Sequence, residues 1–89
     1  MAERFVYIRN KLGLHARASA RLVSTASQFS SEIQLIKDNI EVNAKSIMGI
    51  MMLAASKGTE LLLRAEGSDA DSALNAIEEL INNRFGEGE

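Results

Sequence analysis

Residues 32–42 are Glu32-Ile33-Gln34-Leu35-Ile36-Lys37-Asp38-Asn39-Ile40-Glu41-Val42. The apolar Ile33 and Leu35 alternate with polar neighbours, which is the period of a strand with one buried face. The pair Asp38-Asn39 separates this run from Ile40-Glu41-Val42, and two turn-forming residues between such runs are typical of a tight β-hairpin. The stretch therefore predicts two adjacent antiparallel strands.

The segment before the hairpin predicts one strand and one helix. Phe5-Val6-Tyr7-Ile8 is rich in β-branched and aromatic residues and precedes a turn-prone segment, so it predicts a first strand. From Ala16 to Phe29, apolar residues recur every three or four positions, which predicts an amphipathic helix. The chain thus enters the hairpin from a helix.

The segment after the hairpin predicts a short helix followed by a strand. Ser46 is a favoured N-cap residue, and Gly58 is a favoured residue just past a helix end, so a helix is expected over Ile47–Lys57. Apolar residues then alternate over Leu61–Ala65, which predicts a fourth strand ending at Gly67.

A third helix completes the predicted order β-α-β-β-α-β-α. Ser68 and Asp71 resemble a capping box, and an apolar stripe follows from Ala70 to Ile81. The elements predict a single α+β domain over residues 1–89, with two layers and helices on one face of the sheet. Residues 86–89 are expected to fray.

Composition excludes several classes of function. Ten Lys and Arg against twelve Asp and Glu give a net charge of −2, and aromatic residues are few, which argues against binding to nucleic acid or membrane. Absence of Cys and the presence of one His argue against disulfides and a metal site. The chain has no apolar run near the roughly 20 residues that span a bilayer and no signal-peptide pattern, so a cytoplasmic protein without cofactor is expected.

The only histidine, His15, lies between Gly13 and the predicted start of the first helix. A helix start offers unpaired amides, here those of Ala16 and Arg17, and Arg17 adds a cation, so an anion at His15 would be well received. The same positive groups disfavour protonation of the imidazole, and a neutral ring can attack phosphorus. Gly13 would keep bulk away from the phosphoryl group. The alternative is a solvated or capping histidine with no chemistry.

The chain has no means of its own to generate a phosphoryl donor. It contains no glycine-rich nucleotide loop followed by Lys and Ser or Thr, and no second His or Cys for a hydrolase centre. A phosphoryl group on His15 would therefore have to come from outside the chain, and a self-sufficient enzyme is not expected.

Two separate segments resemble the HPr family, the histidine-containing phosphocarriers of the bacterial phosphoenolpyruvate-dependent phosphotransferase system. Gly13-Leu14-His15-Ala16-Arg17 resembles the active-site motif of the family, while 45–51 and Ala55-Ser56-Lys57-Gly58 resemble its regulatory-serine segment. The resemblance spans the whole chain. It implies an open-faced sandwich in which three helices cover one side of a four-stranded antiparallel sheet with strand order 1-4-2-3.

The resemblance also implies a role for each site residue. Phospho-enzyme I would transfer a phosphoryl group to Nδ1 of His15, from which it passes to an enzyme IIA protein, while Arg17 balances the phosphate charge. At Ala18 the family usually has proline, which presets φ and lacks an N–H. We expect alanine there to alter transfer rates without abolishing transfer.

The second helix has more apolar residues than a single core-facing stripe can use. One interpretation is that all of them fill the core, since methionine is a common gap filler. The other, which the resemblance favours, is a docking patch for successive partners, composed of Ala20, Ser24, Ile47, Met48, Met51 and Met52.

Ser46 has both a structural and a regulatory interpretation. By itself it predicts only an N-cap. The resemblance implies that an HPr kinase/phosphorylase phosphorylates it, which would place charge within the patch and weaken docking. A regulatory binding module in carbon or nitrogen control, acting through Ser46 and the methionines, is therefore the alternative to a carrier. Both the sugar and the nitrogen branch of the system remain open, and a monomer is expected.

Overall fold

The chain forms four strands, three α-helices and one terminal turn of 3₁₀-helix. The structure is a computed structural model that describes all residues from 1 to 89. The elements are β1 (Ala2–Tyr7), α1 (Ala16–Ala26), β2 (Glu32–Lys37), β3 (Ile40–Asn43), α2 (Ile47–Met52), β4 (Glu60–Glu66), α3 (Ala70–Asn82) and the 3₁₀ turn Arg84–Gly86.

The four strands form one antiparallel sheet in the order β1-β4-β2-β3, which confirms the order implied by the resemblance. Its register pairs Val6 with Leu61 and Leu35 with Leu63, so side chains that alternate along each strand meet on one face. That face is fully buried under the helices, as the period of two requires. The α+β two-layer prediction is therefore confirmed.

The opposite face of the sheet has no covering layer. Phe5 pairs with Leu62, which pairs with Ile36, and these three side chains form a row on the open face. Phe5 is exposed, and the other two are half-buried. The longest helix, α3, has 13 residues, and none of the helices has the length and apolarity required to cross a membrane.

α2 is shorter than the sequence predicts. It ends at Met52, because the amides of Leu53 and Ala54 bond to the carbonyls three residues earlier and Ala54 has a positive φ of 49°. The next residue, Ala55, is buried, and its carbonyl accepts a hydrogen bond from Leu14 at 2.9 Å. The predicted extension to Lys57 was wrong because these residues pack against the loop before α1.

α3 begins differently from the predicted capping box. Its N-cap is Asp69, and Ser68 lies in the preceding turn. The Asp69 carboxylate accepts hydrogen bonds from the amides of Ser30 and Ser31, at 2.8 and 2.9 Å, and from both hydroxyls. The hydrogen bond from the Ser31 hydroxyl is the largest of the effects that lower the pKa of Asp69 to about 2. The predicted capping box was wrong because the Asp69 side chain takes its hydrogen-bond partners from Ser30 and Ser31, in a loop far away in the sequence.

The C-terminal segment folds back onto the molecule. Phe85 is buried in the core with a positive φ of 54°, and its carbonyl accepts a hydrogen bond from Arg21. Beyond it, the Glu87 side chain contacts His15, and the Glu89 carbonyl accepts from the Lys11 amide at 2.7 Å. We expected residues 86–89 to fray, whereas the structure docks them beside the N-terminus of α1.

Candidate functional site

The loop between β1 and α1 holds His15 at a defined position. Gly13 has a φ of +68°, and a Cβ atom built there would lie 2.4 Å from the carbonyl oxygen of Ala55. Every other residue type would therefore collide with the backbone of the segment after α2. We expected this glycine to make room for a phosphoryl group; in the structure the space is filled by the protein's own backbone.

His15 is the N-cap residue of α1. Its backbone is extended, with φ −74° and ψ 178°, and its carbonyl accepts the first helical hydrogen bond, from Ser19 at 2.9 Å. Its side chain makes no capping hydrogen bond, and the amides of Ala16, Arg17 and Ala18 have no acceptor within the protein. The helix start that the sequence predicts therefore presents free donors beside the imidazole.

The imidazole opens onto the surface. Its side chain is 29% exposed, so the ring is accessible to a reactant. It lies in a cleft of about 690 Å³ lined by Lys11, Leu12, His15, Ala16, Arg17, Arg21, Gly86, Glu87 and Glu89. The Arg17 side chain is exposed and makes no hydrogen bond or ion pair, which leaves its donors free for an anion.

Glu87 is a site residue that sequence reasoning missed. Its Oε2 contacts Nε2 of His15, while its Oε1 accepts a hydrogen bond from Asn10 at 2.9 Å. Desolvation raises the pKa of Glu87, but the hydrogen bonds from Asn10 and His15 and the charge of Arg21 outweigh it and leave this pKa lowered. The ring therefore faces a carboxylate as well as the expected cations. The isolated Phe85, a large apolar residue after the last helix, is the one signal in the sequence for a docked tail.

Ser46 is the N-cap of α2, as the sequence predicts. Its hydroxyl accepts a hydrogen bond from the Gly49 amide at 3.1 Å, and the Ile50 amide bonds to its carbonyl at 3.0 Å. The residue is half-buried. The Ser46 hydroxyl thus has a structural partner of its own, whatever else it does.

The apolar surface around Ser46 is exposed. Met48 and Met52 are 74% and 72% exposed, and Ile47 and Met51 are each 42% exposed, whereas Ile50 and Leu53 of the same segment are buried. The interpretation in which all of these side chains fill the core is therefore wrong. Ala20 and Ser24 of the predicted patch are also exposed, on α1, which packs against α2.

Leu12 is a further exposed apolar residue beside the histidine. It is 67% exposed and lines the cleft with His15, and it is not among the residues predicted for the docking patch. The six residues of that predicted patch are all exposed and lie on α1 and α2: Ala20, Ser24, Ile47, Met48, Met51 and Met52.

An open-faced α+β sandwich with one accessible histidine at an uncapped helix start defines a class of protein, the small histidine phosphocarriers. A family model described as "PTS HPr component phosphorylation site" matches residues 2–83. The phosphocarrier protein HPr of Neisseria meningitidis is 54% identical over 89 residues, covering all of both chains. HPr of Xylella fastidiosa is 53% identical over 87 residues, covering 98% of each.

Solved structures agree with the sequence relatives. The crystal structure of an HPr from Thermoanaerobacter tengcongensis superposes with a TM-score of 0.94 at 54% identity, covering 98% of each chain. The chain therefore belongs to the HPr family of phosphocarriers of the phosphotransferase system.

Proposed function

We propose that this protein, as a cytoplasmic monomer, accepts a phosphoryl group on Nδ1 of His15 from phospho-enzyme I and passes it to an enzyme IIA. One observation supports the proposal above the others. The accessible imidazole lies beside three helix-start amides that have no acceptor within the protein. Such amides, with the positive end of the helix dipole, bind the oxygens of a phosphoryl group without moving.

The transfer is a displacement at phosphorus. The lone pair of Nδ1 forms the new N–P bond while the N–P bond in phospho-enzyme I breaks and returns its electron pair to the donor ring. Because charge collects on the phosphoryl oxygens, the amides of Ala16 and Arg17 and the Arg17 guanidinium stabilise the transition state most strongly. One N–P bond replaces another, so the group keeps its transfer potential for the next acceptor.

The docking patch is proposed to bind both partners in turn. It is exposed, apolar and rich in methionine, whose flexible side chains adapt to surfaces of different shape. It includes Ala20, which lies one turn along α1 from the cleft residue Ala16, so a partner seated on it would bring its own histidine close to His15. The protein supplies position and charge, and its partners supply the phosphoryl donor and acceptor.

Incubation with enzyme I and labelled phosphoenolpyruvate tests this function. We expect the wild type to take up label that is labile to acid and stable to base, as an N–P bond is, and His15→Ala to take up none. Arg9→Ala is the control for a change elsewhere in the fold, since Arg9 bonds to Asn82 and lies outside the cleft. Label on neither wild type nor Arg9→Ala would overturn the carrier function and leave the regulatory binding module.

Phosphorylation of Ser46 by an HPr kinase/phosphorylase is the second part of the proposal. A phosphate there would add about −1.5 to −2 charges to the middle of the docking patch, while the start of α2 tolerates an anion. Binding to enzyme I should then weaken without refolding. The exposure of Ile47 and Met48 immediately after Ser46 supports this part of the proposal.

Ser46→Asp tests the regulation by adding one charge at that position. We expect phosphoryl acceptance from enzyme I to slow by about tenfold, because one contact at the edge of the interface becomes unfavourable when the charge is added. Circular dichroism and the melting temperature should remain nearly unchanged. Ser72→Asp, which adds the same charge on the exposed face of α3, is the matched control. Acceptance at the wild-type rate by Ser46→Asp would contradict the proposal.

A further inference from the structure

The carboxylate of Glu87 connects two residues of the loop before α1. Its Oε2 contacts Nε2 of His15, and its Oε1 accepts a hydrogen bond from the side-chain amide of Asn10 at 2.9 Å. The same Asn10 amide donates to the Gly13 carbonyl at 2.8 Å. A buried side chain therefore holds the carboxylate against the imidazole from the other side.

Asn10 is buried at a cost. Its Oδ1 has no hydrogen-bond partner, although a buried acceptor without a partner is unfavourable and rare. Its side-chain nitrogen donates two hydrogen bonds, one to the Gly13 carbonyl and one to the Glu87 carboxylate. The side-chain amide of Asn10 is thus oriented by these two acceptors.

The contact determines which ring nitrogen carries the proton. The hydrogen bond from the Asn10 side chain lowers the pKa of Glu87, so this carboxyl is ionised at neutral pH, and an ionised carboxylate only accepts hydrogen bonds. The nitrogen that faces it, Nε2, must therefore carry the hydrogen. In a neutral imidazole the other nitrogen, Nδ1, is then left with its lone pair.

We propose that Glu87 is a positioning residue that holds neutral His15 in the tautomer with Nε2 protonated, leaving Nδ1 as the nucleophile. The inference rests on the proposed function for its consequence, since it explains why that nitrogen is the one that reacts. The arrangement is comparable to a carboxylate that orients a catalytic histidine through the nitrogen that does not react. Asn10 supports it by fixing the second carboxylate oxygen.

The same contact balances charge during transfer. When Nδ1 forms the N–P bond and the donor ring takes back its electron pair, His15 is substituted at Nδ1 and still protonated at Nε2, so the ring becomes positive. The Glu87 carboxylate faces that charge, and Arg17 and Arg21 lie on the same cleft with Lys11 and Glu89. Glu87 therefore acts on the ring, while Arg17, whose guanidinium has no partner within the protein, acts on the phosphoryl oxygens.

Nitrogen-15 NMR of the imidazole tests the tautomer without any partner protein. We expect the neutral wild-type ring to show a protonated Nε2 and an unprotonated Nδ1. In Glu87→Gln the side-chain amide can also donate to an unprotonated Nε2, so the Nδ1-protonated tautomer should become populated. Glu66→Gln, which removes the same charge at the end of β4, should leave the wild-type tautomer unchanged.

Kinetics with phospho-enzyme I test the consequence. Loss of a group that orients a metal-ligating histidine costs about 10- to 100-fold, and by analogy we expect Glu87→Gln to slow phosphoryl acceptance by about tenfold. Glu87→Asp keeps the charge but is one methylene shorter. If position is what matters, Glu87→Asp should resemble Glu87→Gln; if it behaves as the wild type, bulk charge is responsible and the proposal is wrong.

The outcomes separate this inference from the proposed function. A wild-type tautomer in Glu87→Gln, or a wild-type acceptance rate, would overturn the role of Glu87 while His15 phosphorylation stands. Absence of phosphorylation in the wild type would overturn the function, and the NMR result would still decide whether Glu87 places the ring proton. Amide spectra that match the wild type outside the cleft show that each variant is folded.

Discussion

His15 and Ser46 are the N-cap residues of neighbouring helices, but only the Ser46 side chain accepts a hydrogen bond from its helix. Both have extended backbone, with φ/ψ of −74°/178° and −121°/114°. The Ser46 hydroxyl accepts a bond from its own helix at 3.1 Å, whereas the His15 side chain makes no such bond. Ser46 thus stabilises the protein, and His15 leaves its helix amides available to a ligand.

The difference lies in how many helix-start amides have an acceptor within the protein, which is one more at α2 than at α1. A cap that satisfies the amides contributes about 1 kcal/mol to stability, and that contribution is absent at a start kept open for an anion. The α1 start is held in place by other contacts, namely the bond from Leu14 to Ala55 and the approach of Gly13 to the same carbonyl.

The largest expected effect comes from removing the support of the open helix start. Gly13→Ala should lower the free energy of unfolding by about 2 to 4 kcal/mol, because a side chain at positive φ is strained and its Cβ would meet the Ala55 carbonyl. Gly58→Ala is the matched control, with a φ of +89° and nothing within 4 Å. It should cost about 1 kcal/mol in urea denaturation. Equal losses would show that the close approach is unimportant.

The next largest effect concerns the cation at the open start. Arg17→Ala should slow phosphoryl acceptance from enzyme I by about 10- to 100-fold, since it removes donors to the developing charge on phosphorus. Arg17→Lys should recover part of the rate by restoring the charge without the planar fork. Arg4→Ala, which removes a cation that pairs with Glu78, should leave the rate unchanged. A wild-type rate for Arg17→Ala would refute the role of this residue.

A smaller effect tests the comparison directly. Ser46→Ala should lower the free energy of unfolding by about 1 kcal/mol because the Gly49 amide loses its acceptor. His15→Ala should lower it by about 0.5 kcal/mol or less, since only the partly exposed contact with Glu87 is lost. Urea denaturation of the two variants measures both losses in the free energy of unfolding. A larger loss for His15→Ala would mean that its side chain stabilises the helix after all.

The smallest effect is expected at Ala18, where the HPr family usually has proline. The Ala18 amide has no acceptor within the protein, so Ala18→Pro loses no hydrogen bond. We expect the free energy of unfolding to change by less than about 1 kcal/mol and the transfer rate to change modestly. Loss of transfer from enzyme I in the Ala18→Pro protein would contradict this account of the first turn.

Much of the fold could be predicted because the spacing of apolar residues along a strand or helix is a local property of the sequence. The alternation of Ile33 and Leu35 predicts a strand with one buried face, and the structure buries both side chains. Ser46 predicted a helix start for the same reason, since a cap depends on residues within three positions. His15 beside a helix start and Arg17 in the first turn of that helix were likewise visible in five consecutive residues.

The errors occurred where a residue bonds to a distant part of the chain. Asp69 begins α3 while its carboxylate binds Ser30 and Ser31, so local capping rules misplace the start. The C-terminal tail contains glycine and glutamate and no periodic pattern, which predicts fraying. Phe85 nevertheless enters the core and carries Glu87 to His15, a contact between residues 72 positions apart.

The amino-acid sequence by itself determined the order of the helices and strands, the position of the histidine at a helix start and the excess of apolar residues on α2. Each depends on side-chain spacing over a few residues, where backbone geometry alone decides which side chains share a face. Tertiary structure decided the end of α2 against the His15 loop, the exposure of the docking patch and the carboxylate on the imidazole. These depend on which surfaces meet when the core closes, and no local pattern records that.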